Sequence, residues 1–425
     1  MYNIAVMDTI KIKIYNWLKK SEKYTKTDSV YVVKGFSWLM GGTIISSFIG
    51  LISAMAFAHY FSKENYGIYQ YILSFVDIFG ILALGGIDTA ITRSTARGQE
   101  GDIKNGVITK IKWGLIGGFM SIVVGAYYLY HENSILGYSF IIAGIFIPFW
   151  EAPGIFTTYL QGKKRFDLLS IYDNAIQIMV TWSVIATLII TSSVIAVIMA
   201  FFTSYFIARL IFYKISFTKF PPNNIPDPEL VPYGKHQTAI SALGNFSANI
   251  DKILLWQLLG PAQVAIYVFA QAIPMRITGV TKIFNRLAFP KIASQDFTNI
   301  QKTLPKKIWL LFIPSLILTL LYMISAHFIF EIFFPQYNDA VIYTIVLSLI
   351  ILLQPFTLIA TSLSAQAKTR PLYIQNIISP IVRIILFMIF ISSLGLMGAV
   401  ISLVLSRLID SVVIYTLFMR IKPNL

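Results

Sequence analysis

Apolar segments of about twenty residues recur along the whole chain, and only short polar stretches separate them. A helix of about 20 residues is long enough to cross the hydrocarbon core of a bilayer. The chain is 56% hydrophobic and only 12% charged, and its mean hydropathy is +0.71. The 425 residues leave room for about twelve spans and for no sizeable soluble domain. The sequence therefore predicts an all-α integral membrane protein with about twelve transmembrane helices.

A polar, proline-rich segment near the middle of the chain divides the predicted spans into two groups of six. The segment runs from Lys214 to Lys235 and reads KISFTKFPPNNIPDPELVPYGK. Clusters of Pro, Asn and Asp of this kind mark loops rather than membrane helices. The predicted domains are a basic cytoplasmic N-terminal segment at 1–35, an N-terminal six-helix lobe at 36–213, a cytoplasmic linker at 214–237 and a C-terminal six-helix lobe at 238–425.

The predicted spans leave only short loops on either side of the membrane. In the N-terminal lobe they are 36–60, 69–91, 113–130, 136–159, 171–190 and 194–213. In the C-terminal lobe they are 238–259, 267–288, 309–332, 341–363, 372–392 and 398–419.

Basic residues are distributed unevenly over these loops. Nearly all of the 34 lysines and arginines fall in the two tails, in the linker and in alternate loops, whereas Lys63 alone falls on the other side. Because basic loops stay in the cytoplasm, we expect both termini of this multi-pass protein to be cytoplasmic. The formal charge of +15 follows this topology, so it does not indicate a nucleic-acid partner.

Several classes of chemistry have no support in the residue types present. The chain has no cysteine, which excludes disulfides, thiol catalysis and cysteine–metal sites. No nucleophile triad or glycine-rich phosphate loop occurs in a suitable context. Its four histidines are scattered, at His59, His131, His236 and His327. We therefore expect no enzymatic activity, no cofactor and no metal site.

The two halves share short patterns at matching places. FSKENYGIY at Phe61–Tyr69 follows the first predicted span, and LGPAQVAIY at Leu259–Tyr267 follows the seventh. LQGKKRF at Leu160–Phe166 follows the fourth span, and SAQAKTRP at Ser364–Pro371 follows the tenth. Six-span halves that start on the same side imply parallel repeats related by an axis along the membrane normal. Such a pair predicts two six-helix lobes around a central cavity that opens alternately to either side.

These patterns together resemble a known family. FSKENYGIY, a basic loop from Arg93 to Lys112, GKKRF after span four, NIDKILL in span seven and AKTRPLY after span ten are similar to Wzx-type polysaccharide (O-antigen or capsule) repeat-unit flippases. These flippases belong to the multidrug/oligosaccharidyl-lipid/polysaccharide exporter superfamily. The resemblance covers nearly the whole chain.

The resemblance implies a function and a location. A flippase of this type moves a polyprenyl-diphosphate-linked oligosaccharide from the inner to the outer leaflet of the bacterial cytoplasmic (inner) membrane, in lipopolysaccharide or capsule biosynthesis. It implies membrane lipid, a polysaccharide polymerase and glycosyltransferases as partners.

Basic side chains inside the predicted C-terminal spans are the candidate ligands of an anionic cargo. A charge at membrane depth costs roughly 2.5–3.5 kcal/mol, so it is expected to face a protein-lined or watery space. Arg383 is shallower if its helix starts late, and Arg407 has an alternative partner in Asp410, three residues on. Arg209 lies near a helix end and is interpreted as reaching the membrane surface. The candidate substrate-binding residues are Lys252, Arg276, Arg383 and Arg407.

Acidic side chains inside the predicted spans are concentrated in the N-terminal half. Adjacent helical residues diverge, so Asp251 cannot face Lys252 and needs another partner. The candidates for ion coupling or for pairing between the lobes are Glu151, Asp77 and Asp251. Glu151 or Asp77 is interpreted either as binding a proton or sodium ion, or as pairing with a C-terminal cation in one state. The alternative is a fixed structural ion pair or a permanently protonated acid. Asp88 and Asp173 are further acids in the N-terminal spans.

Other functions stay open at this point. A drug/cation antiporter of the same superfamily would favour an acidic, aromatic cavity. A membrane polysaccharide polymerase would be expected to carry a large outer loop with catalytic residues, and every predicted outer loop here is short. A lipid II-type flippase would have two further spans.

Overall fold

The computed structural model describes residues 29–293, 295–366 and 368–421, and nearly all of them are helical. No strand occurs within these ranges. Residues 1–28 of the predicted basic segment lie outside the described residues. The first helix begins at Ser29. The prediction of an all-α membrane protein is therefore confirmed.

The first half of the described chain forms six spans. Two of them are made of two helices each, because the chain leaves the helix within the span. The helices are α1 (Ser29–Tyr60), α2 (Lys63–Gly80) with α3 (Gly86–Ala96), α4 (Ile103–Tyr130), α5 (Ser134–Trp150) with α6 (Ile155–Gly162), α7 (Phe166–Ile190) and α8 (Val194–Lys219).

The second half forms six more spans. Its last helix has 52 residues, enough for two crossings, and Gly395 breaks it with a φ of 59°. The helices are α9 (Leu230–Ser247) with α10 (Ile250–Leu259), α11 (Pro261–Ala293), α12 (Phe297–Phe333), α13 (Val341–Leu347) with α14 (Leu349–Leu353) and α15 (Thr357–Ala365), and α16 (Thr369–Arg420).

Within the described residues, nine helical stretches are long and apolar enough to cross a membrane. The seventh span (α9 and α10) and the eighth span (α11) are not among them. These two spans carry Asp251, Lys252 and Arg276. The exceptions are thus spans in which the sequence places charges at membrane depth.

The fourth span is interrupted beside Glu151. Helix α5 ends at Trp150, and α6 begins only at Ile155. Pro153 lies in this gap, and its ring removes a backbone donor and prevents a continuous helix. Irregular backbone at membrane depth is tolerated only where it is buried in protein or lines a cavity. The helix is therefore completely broken beside Glu151, and the freed carbonyl of Trp150 accepts a hydrogen bond from Arg209.

The third span begins earlier than predicted. We expected it to start at residue 113, but α4 begins at Ile103. The placement of Lys110 in a cytoplasmic loop was therefore wrong, since Lys110 lies two turns inside a helix and is fully buried. Helices α4 and α5 pack through glycines, and a Cβ on Gly118 would lie only 2.5 Å from the carbonyl oxygen of Gly144.

The two halves of the chain contact each other at both ends. We call the end with the loops at 97–102 and 163–165 the basic face, and the end at Lys63 the opposite face. At the opposite face, Lys63 Nζ lies 2.6 Å from Asp339 Oδ2, and α2 packs against the start of α11 at Gly67. At the basic face, α3 packs against α9, and the Gly86 N–H donates to Thr238 Oγ1 at 2.9 Å.

The segment between the halves is held against the N-terminal half. Helix α8 ends at Lys219 and α9 begins at Leu230, so only residues 220–229 are non-helical. The Gly101 N–H donates to the carbonyl of Ile225 at 2.8 Å. The Asp227 N–H donates to Asp102 Oδ2 at 2.8 Å. The division into domains at 213 and 238 stays a prediction.

Candidate functional site

A cavity of about 680 Å³ lies between helices of the first half of the chain and α11, and we call it the N-terminal cavity. Its volume is within the range of small-molecule sites. A neighbouring cavity of about 240 Å³ shares Asp173, Gln177 and Arg276 with it. Six aromatic side chains line the N-terminal cavity, from Phe57, Tyr66, Tyr69, Phe201, Tyr205 and Phe269.

Arg276 reaches from α11 into the N-terminal cavity. Its Nη1 donates to the carbonyl of Ser47 on α1 at 2.9 Å. The guanidinium lies against Gly50, where an added Cβ would be 2.5 Å from Nη1. Arg276 forms no ion pair with any described residue, so its charge is available to a ligand. The predicted substrate-binding residue Arg276 therefore faces a cavity.

Four charged side chains form a row inside the first half of the chain, and we call it the charge row. Lys110 Nζ lies 2.8 Å from both carboxylate oxygens of Asp88 and 3.8 Å from Glu151 Oε2. Glu151 Oε1 lies 3.6 Å from Arg209 Nη1. Acidic and basic side chains thus alternate along Asp88, Lys110, Glu151 and Arg209. The two inner members, Lys110 and Glu151, each have an oppositely charged neighbour on both sides.

Arg209 is held inside the protein. Its guanidinium stacks on the rings of Tyr205 and Trp150, at 4.5 and 5.3 Å from their centroids, and donates to the carbonyl of Trp150. The side chain is only 17% exposed. The interpretation of Arg209 as reaching the membrane surface was therefore wrong, because the break after α5 brings Glu151 and the Trp150 carbonyl to it.

Lys110 is the main residue of this region that the sequence reasoning missed. Its side chain is 0% exposed, although an unpaired lysine is almost never buried. The signal was available in the spacing, because Gly106, Lys110, Gly114 and Gly118 recur every four residues and so share one helix face. Small residues on one face mark a helix–helix contact, and a lysine on that face must pair inside the protein.

The acids predicted for ion coupling separate into two kinds. Glu151 pairs with cations of its own half of the chain, as described above. Asp77 is exposed and forms no ion pair with the described residues; the main attraction on it comes from Lys252. Asp173 lines the N-terminal cavity and likewise forms no ion pair in the described part of the chain. Asp77 and Asp173 are therefore carboxylates without an ion-pair partner among the described residues.

A second cavity, of about 800 Å³, lies among α3, α9, α15 and α16, and we call it the C-terminal cavity. Arg383, Arg407 and Asp410 are its charged lining residues. None of the described residues that line it is aromatic. Its wall is rich in amides and hydroxyls, from Thr89, Gln237, Ser241, Asn245, Ser247, Ser364, Gln375, Asn376, Ser379 and Ser406.

Asp251 and Arg383 pair within the second half of the chain. Arg383 Nη2 donates to Asp251 Oδ2 at 3.2 Å, and the Tyr267 hydroxyl donates to the same oxygen at 2.9 Å. The Lys252 backbone N–H donates to Asp251 Oδ1 at 2.9 Å. In this state, Asp251 does not pair with the first half of the chain.

The other two predicted cations lie in different surroundings. Lys252 lines neither cavity, and its Nζ contacts Asn249 Oδ1 at 3.4 Å. Arg407 is exposed to the C-terminal cavity, and its guanidinium makes no hydrogen bond or ion pair with a described residue. The alternative pairing of Arg407 with Asp410 does not occur, since Asp410 Oδ1 accepts from Gln375 at 2.8 Å and from the Ser379 hydroxyl.

Among the described residues, no group of three or more His, Asp or Glu side chains is arranged to hold a metal ion. The arrangement instead offers two cavities between the helices, and each contains an arginine without an ion-pair partner among the described residues. It can bind anionic groups, and in the N-terminal cavity also aromatic or sugar rings.

Solved structures with a similar fold are membrane transporters. The lipid II flippase MurJ, in an inward closed conformation, aligns with a TM-score of 0.71 and 14% identity over 89% of this chain and 87% of that one. A MOP superfamily transporter from Pyrococcus furiosus aligns with a TM-score of 0.63 and 16% identity over 91% and 94%. An outward-facing multidrug resistance MATE family transporter aligns with a TM-score of 0.61 and 15% identity over the same shares. These similarities show the fold, that of MOP superfamily transporters with two lobes of six helices.

Sequence comparison gives the family. No curated protein sequence matches the chain. The family model described as polysaccharide biosynthesis protein matches residues 32–295, which is more than half of the chain and includes Arg276 and the charge row. The chain therefore belongs to the polysaccharide biosynthesis protein family.

Proposed function

We propose that the protein is a flippase that moves a polyprenyl-diphosphate-linked oligosaccharide from the inner to the outer leaflet of the bacterial cytoplasmic membrane by alternating access. One observation carries the proposal: Arg276 lies in a cavity at membrane depth without a carboxylate partner among the described residues. A phosphate 4 Å from such a cation gains about 4 kcal/mol at an effective dielectric of 20. This gain offsets part of the cost of dehydrating the phosphate.

The family and the fold support a lipid-linked saccharide as cargo. The family is one of polysaccharide biosynthesis, and the fold is shared with a lipid II flippase. A polar cavity suits the head group, while the polyprenyl chain stays in the surrounding lipid. Glycosyltransferases that build the cargo and a polymerase that consumes it are the expected partners.

The contacts at the opposite face support a state that is closed at that end, while the contact of α3 with α9 also joins the halves at the basic face. Lys63 and Asp339 tie the lobes together at the opposite face. Stacking of Phe269 on Tyr337, with centroids 3.7 Å apart, fills the same end. We assign the basic face to the cytoplasm, with both termini, because basic loops stay there. In this proposal, loading from the cytoplasmic leaflet requires the contact of α3 with α9 to separate.

Coupling to a proton or sodium ion, in this proposal, falls to Asp77 or Asp173. Glu151 and Asp251 each have cationic partners in their own half of the chain, so we assign them to fixed ion pairs. Asp77 and Asp173 have none in the described part of the chain. A carboxylate without a fixed partner is free to bind and release an ion during the cycle.

Reconstituted transport tests the proposal. Purified protein is reconstituted into liposomes that contain a fluorescent polyprenyl-diphosphate oligosaccharide. A membrane-impermeant quencher then reports which fraction of the labelled lipid lies in the outer leaflet. We expect rapid movement with the wild type and at least a tenfold slower rate with Arg276→Gln, because about 1.4 kcal/mol of lost phosphate binding gives that factor. Arg276→Lys should retain part of the rate.

The matched control is Arg97→Gln, which removes an exposed arginine at the basic face. Its rate should equal that of the wild type. Wild-type protein that folds but moves no cargo under any proton or sodium gradient contradicts the flippase proposal.

A drug/cation antiporter is the second candidate, and one observation favours it. The N-terminal cavity combines aromatic walls with the unpaired Asp173, which suits a cationic aromatic ligand. Export of a cationic dye that Asp173→Asn abolishes, without movement of the lipid-linked saccharide, would establish that function instead.

A further inference from the structure

The C-terminal cavity holds a second cationic site that the diphosphate does not use. The N-terminal and C-terminal cavities share no lining residue, and Arg276 belongs to the first alone. One diphosphate group bound at Arg276 therefore leaves the Arg407 guanidinium without an ion pair among the described residues, since Asp410 of the same cavity lies beyond ion-pair distance. A cation kept unpaired at membrane depth is costly, which points to a ligand.

Donors are available at this site. The Arg407 guanidinium has no hydrogen-bond or ion-pair partner among the described residues. Arg383 is only 15% exposed, and its Nε is buried without a partner. A guanidinium offers five donors in a planar fork that matches a carboxylate.

The two nearby acids are already occupied. Asp251 accepts three hydrogen bonds, from Arg383, Tyr267 and the Lys252 backbone. Asp410 accepts two on one oxygen, from Gln375 and Ser379. Neither carboxylate reaches Arg407 within ion-pair distance. The other oxygen of Asp410 is left to accept from a hydroxyl.

The wall of the C-terminal cavity suits a sugar that also carries a charge. Asn245 and Asn376 are among the amides that face it, with several serine hydroxyls between them. Amides and hydroxyls both donate and accept, as sugar hydroxyls require. Aromatic rings, which line the N-terminal cavity, are absent among the described residues here. Recognition in this cavity therefore depends on charge and hydrogen bonds.

We propose that the oligosaccharide of the cargo contains an acidic sugar, and that Arg407, with Arg383 beside it, binds the sugar carboxylate in the C-terminal cavity. This inference rests on the proposed flippase function. The cargo then carries two separated anionic groups, the diphosphate at Arg276 and the carboxylate at Arg407. Asp410 and the amides of the wall accept and donate hydrogen bonds to the hydroxyls of the same sugar.

A matched pair of cargoes tests the inference. Both carry the same polyprenyl diphosphate and the same number of sugars, but one has a hexose where the other has the corresponding uronic acid. We expect the wild type to move the acidic cargo at least tenfold faster than the neutral one. In Arg407→Gln the ratio of the two rates should fall to about one, and in Arg407→Lys it should take an intermediate value.

Arg276→Gln serves as the comparison, because it slows both cargoes and keeps their ratio. Binding of a soluble uronic-acid oligosaccharide to the detergent-purified protein gives a second readout, which Arg407→Gln should weaken by a similar factor. Equal wild-type rates for both cargoes, or a preference that survives Arg407→Gln, would overturn the inference while the flippase function stands. Failure of both cargoes to move would overturn the flippase function and the inference with it.

Discussion

The charge row and Arg407 in the C-terminal cavity differ in whether their charges are paired. In the charge row, Lys110 and Glu151 each have partners of opposite sign on neighbouring helices. In the C-terminal cavity, Arg407 faces open space with no partner among the described residues. Paired charges at membrane depth hold helices in place, whereas an unpaired one is available to a ligand. We therefore expect the charge row to stabilise the fold and Arg407 to act in transport.

Removing Lys110 is the most severe way to break this comparison. Lys110→Met leaves Asp88 and Glu151 without their shared cation, and loss of one partner of a buried pair costs about 3–5 kcal/mol. We expect a large fall in thermal stability in detergent and little folded protein. The double variant Lys110→Met/Asp88→Asn should recover part of the loss. Unchanged stability of Lys110→Met would mean that the row is not structural.

A covalent bridge between the two halves at the opposite face should stop transport altogether. The chain has no cysteine, so Lys63→Cys with Asp339→Cys gives a unique thiol pair, which a short bifunctional reagent can bridge. We expect bridging to slow transport at least tenfold. When the bridging reagent contains a disulfide, adding a reductant should restore the rate. Each single variant, treated in the same way, is the control. Full transport by the bridged protein would contradict alternating access through this face.

Gly50→Ala sharpens the comparison without removing a charge. The added methyl group would lie 2.5 Å from Arg276 Nη1 and must push the flexible guanidinium aside. We expect transport to fall several-fold while the melting temperature changes little. Gly41→Ala, where nothing lies within 4 Å of the added atom, is the matched control on the same helix. Equal rates for both variants would show that the position of Arg276 is unimportant.

Arg407→Met should give the smallest change in stability. The Arg407 guanidinium makes no hydrogen bond or ion pair with the described residues, so its loss leaves no buried partner unsatisfied. We expect the free energy of unfolding to stay within about 0.5 kcal/mol of the wild type. A loss as large as that of Lys110→Met would place Arg407 among the structural charges.

The sequence predicted the spans well and the partners of the charges poorly. Hydropathy and basic loops act locally, so they identified the two halves and the charges of the seventh span. Whether a charge is paired depends on which helices meet, and hydropathy does not report this. Lys110 was therefore placed in a loop and Arg209 at the membrane surface, although both lie in the charge row.

The C-terminal candidates show the same limit. Lys252 and Arg407 are both cations inside apolar segments, and the sequence treats them alike. Only the packing of α9, α15 and α16 puts Arg407 in a cavity and leaves Lys252 outside. The spacing of glycines around Lys110 was the one sequence signal that was present and unused.

The segment at 220–229 is fastened to the loop at 97–102, and α9 lies against α3. A segment held by these hydrogen bonds does not serve as a flexible linker between the two lobes. The helix of the seventh span is interrupted at Ala248 and Asn249, which keep αR backbone angles and separate α9 from α10. We therefore expect a rotation of one lobe against the other to bend the chain at this interruption rather than in the segment at 220–229.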